Sequence, residues 1–374
     1  MLDLRSNNQA KLKYLFTLIC LLALGACSTT KEVAAPITKE RAKNVILLIG
    51  DGMGLTQITA GTFANSNTSN FERFKEIGLH KPYSYDKLIT DSAAGATAFA
   101  CGIKTYNGAI GVRRDSMPAK SILERAEEAG FSTGLISTSS ITHATPASFI
   151  AHVRWRKNME AIAADFLNTE VDFFVGGGRK YFDARDADNR NLLQELRDKG
   201  YVISSYFEED LNKITVDASK NFGYLTASEE PLRRMEGREY LHLATNKALE
   251  HLDKHGENGF FLMVEGSQID WGGHANDIDW ILSEFQEFDQ VVGRVLDWAK
   301  KDGETLVIVT ADHETGGLAI QPDSKMNKIV AAFTSDYHTG TMIPVFAFGP
   351  GASEFSGIYE NTDIYFKMKT LMGL

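Results

Sequence analysis

Asn44-Val-Ile-Leu-Leu-Ile-Gly-Asp51-Gly-Met-Gly54 decides the fold. Its apolar run has no polar residue alternating with it, so a strand built from it must be buried on both faces, as inner strands of parallel sheets are. Comparable runs recur at 132–137, 171–175, 260–265, 305–310 and 343–348. Between them lie helical patterns at 121–129 and 192–199, stopped by Gly130 and Gly200, and at 241–252 and 278–299. Strands alternating with helices predict an α/β fold, a central mostly parallel β-sheet sandwiched between helices.

In such sheets ligands lie beyond the carboxyl ends of the strands. Chemically capable residues cluster at those places. Gly50-Asp51-Gly52-Met53-Gly54 follows the first run, Glu265 through Asp270 to His274 follows the run at 260, and Asp312-His313 follows the run at 305. The glycine loop has GxGxG spacing, not the GxGxxG of dinucleotide loops, and its carboxylate would repel phosphate unless a cation lay between them. A metal ligand and a structural strand-end turn both account for Asp51. Asp270 and His274, four residues apart, share one face of a helical turn, and His338 precedes the last run. Mixed imidazole and carboxylate sets suit Zn²⁺, whereas oxygen-rich sets suit Mg²⁺. In Thr90-Asp91-Ser92-Ala-Ala-Gly-Ala96 the small residues predict a closely packed helix with Ser92 at its start, either as the N-cap or as a nucleophile placed where an anion is favoured.

With 43% hydrophobic and 24% charged residues, the 374-residue chain has globular composition, which excludes a disordered, collagenous or coiled-coil protein. A net charge of -10, from 39 basic and 49 acidic residues, argues against binding nucleic acid or anionic lipid through bulk electrostatics. Lys11 and Lys13, the apolar stretch 14–24 and the small Gly25-Ala26 form a secretory signal. That stretch would make roughly 16 Å of helix, about half of a bilayer's apolar thickness. Leu24-Gly-Ala-Cys27 resembles a bacterial lipobox. Residues 1–26 are therefore expected to be a lipoprotein signal peptide, 27–41 a tether and 42–374 one catalytic domain, held at the periplasmic face or outer membrane only through a lipid on Cys27. With Cys20 removed and Cys27 acylated, Cys101 has no partner, so no disulfide is expected.

The blocks at 44–54, 90–111, 142–156, 175–178, 264–274, 309–313 and 338–340, in that order, resemble the alkaline phosphatase family over about residues 42–370. The stretches Asp312–Gly317 (DHETGG) and Ile269–Asn276 (IDWGGHAN) most resemble its bacterial, cold-adapted-type members. The resemblance implies a broad-specificity phosphomonoesterase acting by double displacement through a phosphoserine on Ser92, with two Zn²⁺ and one Mg²⁺ per subunit of a homodimer. Asp270, His274 and His338 would hold one Zn²⁺, and Asp51, Asp312 and His313 the second. Asp51, Thr145 and Glu265 would hold the Mg²⁺, and Arg156 would grip two phosphate oxygens. Three departures from the enteric bacterial pattern stand out: His143 replaces an aspartate and becomes a candidate ligand of the third ion, Trp271 replaces a lysine, and Thr315 replaces a histidine. The substrates implied are small-molecule phosphomonoesters, with no nucleic acid bound as such. Two alternatives remain, a phosphodiesterase or sulfatase of the same superfamily and a metal- or phosphate-binding lipoprotein without turnover. Ser92 followed by an alanine-rich helix, together with Arg156, argues against the first, and Ser92 with the full ligand set argues against the second. His80, His152, His242, His251 and His255 read as surface or packed residues.

Overall fold

The apolar runs all become strands of one sheet in the computed structural model, which describes residues 41–374. The signal segment, Cys27 and the tether through residue 40 lie outside the described residues. The sheet contains β1 (Asn44–Gly50), β2 (Glu76–Lys81), β3 (Ser132–Ser140), β4 (Phe173–Gly177), β5 (Val202–Ser205), β6 (Phe222–Leu225), β7 (Phe260–Gly266), β8 (Thr305–Thr310), β9 (Ile343–Phe348) and β10 (Gly357–Glu360). Their spatial order is β10-β2-β9-β8-β1-β7-β3-β4-β6-β5. Of these ten only β9 runs against the rest, pairing antiparallel with β8 and β2. Four strands, β2, β5, β6 and β10, carry no continuous apolar run. They are short and lie at or next to the sheet's two edges; β2, β5 and β10 are partly exposed, whereas β6 is buried between its two neighbours.

β1 shows why the apolar run needed no alternation. Val45, Leu47 and Ile49 enter one core with Phe99, Leu123, Phe149 and Met368, while Ile46 and Leu48 enter the opposite core with Ile58, Leu249, Phe285 and Val292. The first core is covered by helices Ser92–Cys101, Ile122–Glu128 and Thr362–Met372, the second by Leu55–Ala64, Leu241–His255 and Ile278–Asp302. Each of these β1 side chains is fully buried, contributing about 1.5–3 kcal/mol relative to exposure. Cys101 is buried and unpaired, and no helix among the described residues is long and apolar enough to cross a membrane.

Candidate active site

The sheet order assembles the site. β1 lies between β7 and β8, and Ile49 is level with both Glu265 and Thr310. Asp51, Glu265 and Asp312 therefore leave three adjacent parallel strands side by side, at the carboxyl edge where ligands of such sheets sit. Gly52 has φ +70°, and a Cβ there would come within 2.6 Å of the Asp270 Cα. Only glycine lets the loop after β1 lie this close to the turn of helix Gln268–His274. The nearest contact is with backbone, so the glycine is required by chain packing.

Three sets of potential ligand atoms result, each within 4.8 Å of one another: Asp270, His274 and His338; Asp51, Asp312 and His313; and Asp51, His143 and Glu265. In the first set, His274 Nδ1–H donates to the Asp336 carbonyl (2.7 Å) and His338 Nδ1–H to the Thr90 carbonyl (2.8 Å). Each Nε2 consequently carries a lone pair. These two nitrogens lie 3.1 Å apart, and 3.5 and 3.6 Å from Asp270 Oδ1. Lone pairs converging in this way repel unless a cation lies among them.

In the second set, His313 Nε2 is 3.2 Å from Asp312 Oδ2 and 3.5 Å from Asp51 Oδ1. Its tautomer follows from Thr315, whose hydroxyl donates to the Asp270 carboxylate and so accepts from His313 Nδ1–H at 3.2 Å. The chain His313 to Thr315 to Asp270 ties the two sets together. Asp51 Oδ1 and Oδ2, Asp312 Oδ2 and Glu265 Oε1 are buried without a hydrogen-bond donor. In the third set, Glu265 Oε2 accepts from the Ser137 hydroxyl at 2.6 Å. Thr145, in the turn Ala144–Ala147 that follows β3, is fully buried near Glu265, and its hydroxyl has no hydrogen-bond partner.

Ser92 opens helix Ser92–Cys101, but it is not the N-cap. Asp91 is, its carboxylate accepting from Ala94 N at 3.0 Å. The Ser92 hydroxyl is thereby left for other chemistry and lies 3.3 Å from His313 Nε2. Gly95 keeps this helix close to the second set, since a Cβ there would lie 3.0 Å from Asp312 Cβ. Asp91 also holds Arg156, accepting from Nη1 at 3.1 Å, while Arg156 Nη2 donates to His143 Nε2 at 3.3 Å. Trp271 meets the His143 ring edge-on at 5.9 Å between centroids. Every site residue named from the sequence thus falls in one cluster. Asp91 was not assigned a role from the sequence, and Thr315 stood out there only as a replacement for a histidine, not as a bridge between the two sets. A cap-forming aspartate directly before the serine was a readable signal for the first, whereas nothing local marks the second.

Burial is the main cause of the electrostatic strain in this cluster. It pushes Asp51 well above the usual carboxylate range, reinforced by the charges of Asp312, Asp270 and Glu265. Asp312 rises to about 7 by burial and the Asp270 charge, and Glu265 rises chiefly by burial. Burial and the neighbouring His338 lower His313, and burial with the charge of Arg156 lowers His143 to about 3. Carboxylates that resist ionisation beside imidazoles that resist protonation make a cluster completed by cations.

A family model described as alkaline phosphatase matches residues 42–333. Alkaline phosphatase 3 of Bacillus subtilis is 35% identical, covering 87% of this chain and 88% of that protein. The solved alkaline phosphatase of the Antarctic bacterium TAB5 has a TM-score of 0.84 at 46% identity, covering 89% of this chain and 98% of that one. The cold-active alkaline phosphatase of the psychrophile Shewanella sp. has a TM-score of 0.80 at 31% identity, covering 88% and 99%. Likeness of this extent, in sequence and in fold, is found only between members of one family, and this chain belongs to the alkaline phosphatase family.

Proposed function

We propose that this phosphatase hydrolyses a broad range of phosphomonoesters by double displacement through Ser92, with two Zn²⁺ and one Mg²⁺ per subunit. The observation that carries the reading is the Ser92 hydroxyl, free of capping duty and 3.3 Å from His313 Nε2, beside the Arg156 guanidinium network. The residues fit the cations: buried carboxylate oxygens of Asp51, Asp312 and Glu265 have no donor, and the bare Nε2 atoms of His274 and His338 face each other. Asp270, His274 and His338 would hold one Zn²⁺, Asp51, Asp312 and His313 the other, and Asp51, Glu265 and Thr145 the Mg²⁺, with His143 a candidate fourth ligand. When bound, such ions offset the carboxylate charge and stabilise the attacking and leaving oxygens of an in-line displacement.

Arg156, planar and already aligned by Asp91, receives two phosphate oxygens. Ser92 Oγ forms a bond to phosphorus as the bond to the ester oxygen breaks, and the serine proton leaves with the alcohol. Water then forms the new bond to phosphorus, the Ser92 Oγ bond breaks with a proton from that water returning to Oγ, and inorganic phosphate is released. His274, a third exposed, leaves the leaving-group side open to solvent, which supports tolerance of varied alcohols. A TAB5 variant with one histidine changed to aspartate has Mg bound in its M3 site, which supports the reading that a histidine such as His143 bears on the identity of the third ion.

Ser92→Ala is expected to reduce phosphate release from 4-nitrophenyl phosphate to background with metal content retained, and chelation is expected to abolish it in the unmutated protein. Unchanged turnover in Ser92→Ala overturns the phosphoserine route. The exported location, the lipid on Cys27 and the homodimer belong to the same proposal. Fatty-acid labelling that persists in Cys27→Ser, or a monomeric mass in solution, refutes the corresponding part.

A further inference from the structure

Tyr337 precedes His338 and lies flat on it, with ring centroids 4.5 Å apart and planes 8° from parallel. His338 in turn stacks on His313 at 3.5 Å and 16°. Tyr337 therefore caps a stack of three rings that runs from the second ligand set through the first to the surface. Tyr337 itself is 47% exposed, and besides His338 the His274 ring approaches it only at 6.1 Å and 52°.

Direction matters here. Ser92 adjoins His313, and in an in-line displacement the leaving oxygen departs on the side of phosphorus opposite the attacking one. With phosphorus between the two ligand sets, as the proposed reaction requires, that side is the Asp270, His274 and His338 set, which Tyr337 borders. A large apolar ring half exposed beside the leaving group has one evident use, contact with a flat apolar alcohol.

We propose that Tyr337 is a specificity-determining residue whose free ring face receives the leaving group, making aryl phosphomonoesters the favoured substrate class over alkyl ones. This rests on the phosphomonoesterase reading above. The test compares kcat/KM for phenyl phosphate and for glycerol 1-phosphate in the metal-loaded full chain, in Tyr337→Ala and in Tyr337→Phe, with zinc content measured for each. Dividing each variant's value by the unmutated value for the same ester cancels the intrinsic reactivity of the two leaving groups. An aromatic contact of ordinary strength predicts that Tyr337→Ala loses about 2- to 10-fold more on phenyl phosphate than on glycerol 1-phosphate. The difference should appear mainly in KM, and Tyr337→Phe should keep the preference. Equal losses on both esters, with or without zinc loss, would mean that Tyr337 merely steadies His338 and would overturn the proposal. Failure of the unmutated, metal-loaded chain to release phosphate from either ester would instead sink the phosphomonoesterase reading itself.

Discussion

Thr315→Val tests whether the two ligand sets are held by one hydrogen-bonded chain. The substitution nearly preserves the shape of a fully buried side chain while removing the hydroxyl that donates to Asp270 and accepts from His313 Nδ1. Two things are lost. Asp270 loses a charge-assisted bond, and His313 loses the acceptor that keeps its proton on Nδ1 and its Nε2 lone pair directed at Asp51 and Asp312. Groups that orient metal-ligating side chains are typically worth 10- to 100-fold in metal affinity, equivalent to about 1.4–2.8 kcal/mol. Because the hydroxyl serves both sets, zinc retention should weaken at both sites together. The assay is zinc occupancy by elemental analysis after dialysis against graded chelator buffers, with thermal denaturation of the metal-free proteins as a control for folding. Thr315→Ser, which keeps the hydroxyl, should retain occupancy near the unmutated level. Zinc affinity unchanged within twofold in Thr315→Val, or loss at one site only, refutes the coupling.

Two further outcomes concern stability. Arg238 is buried with Glu284 and Glu287, side-chain exposures being 2%, 1% and 3%, and it ties the segment before helix Leu241–His255 to helix Ile278–Asp302. Arg238→Met strands two buried carboxylates, at a cost of about 3–5 kcal/mol and roughly 4–7 °C in Tm for a chain of this size; a Tm within 2 °C of the unmutated value would show the ion cluster to be dispensable. His152 faces the Gly111 carbonyl through Nδ1 at 2.7 Å and the Glu124 carboxylate through Nε2 at 3.1 Å, so both nitrogens must carry protons. Burial opposes that charge, but the Glu124 contact outweighs it and raises the His152 pKa. The stabilisation is complete below the unfolded value of about 6.5 and is lost as pH rises through the raised folded value. Glu124→Gln should therefore cost about 1 kcal/mol near pH 6 and progressively less in alkali, as read from denaturant unfolding across pH 5.5–9. A pH-independent difference contradicts the assignment.

The legibility of this protein varied with locality. Val45–Ile49 announced a strand buried on both faces because its two faces enter two cores, and the same held for β7 and β8. The edge strands were illegible: β2, Glu-Ile-Gly-Leu-His-Lys, mixes polar and apolar residues because part of it is exposed. Asp270 and His274 could be paired from spacing, since one helical turn brings them together. Ser92 could be placed at a helix start, but whether it caps that helix could not be read. Aspartate and serine are both good caps, and only the extended backbone of Asp91 decides between neighbours.

The amino-acid sequence by itself determined the alternation of strands and helices, the edge of the sheet that carries the chemistry, and the ligand types within each short block. These depend on neighbours along the chain, where bond geometry and hydrophobic period act directly. Tertiary structure alone decided the rest: that β1 lies between β7 and β8, that Thr315 joins Asp270 to His313, that Asp91 frees Ser92 and aligns Arg156, and that Tyr337 closes a stack of rings over the site. Most of these join residues tens to hundreds of positions apart, and their distances follow from the strand order and the packing of two cores, which no local pattern encodes.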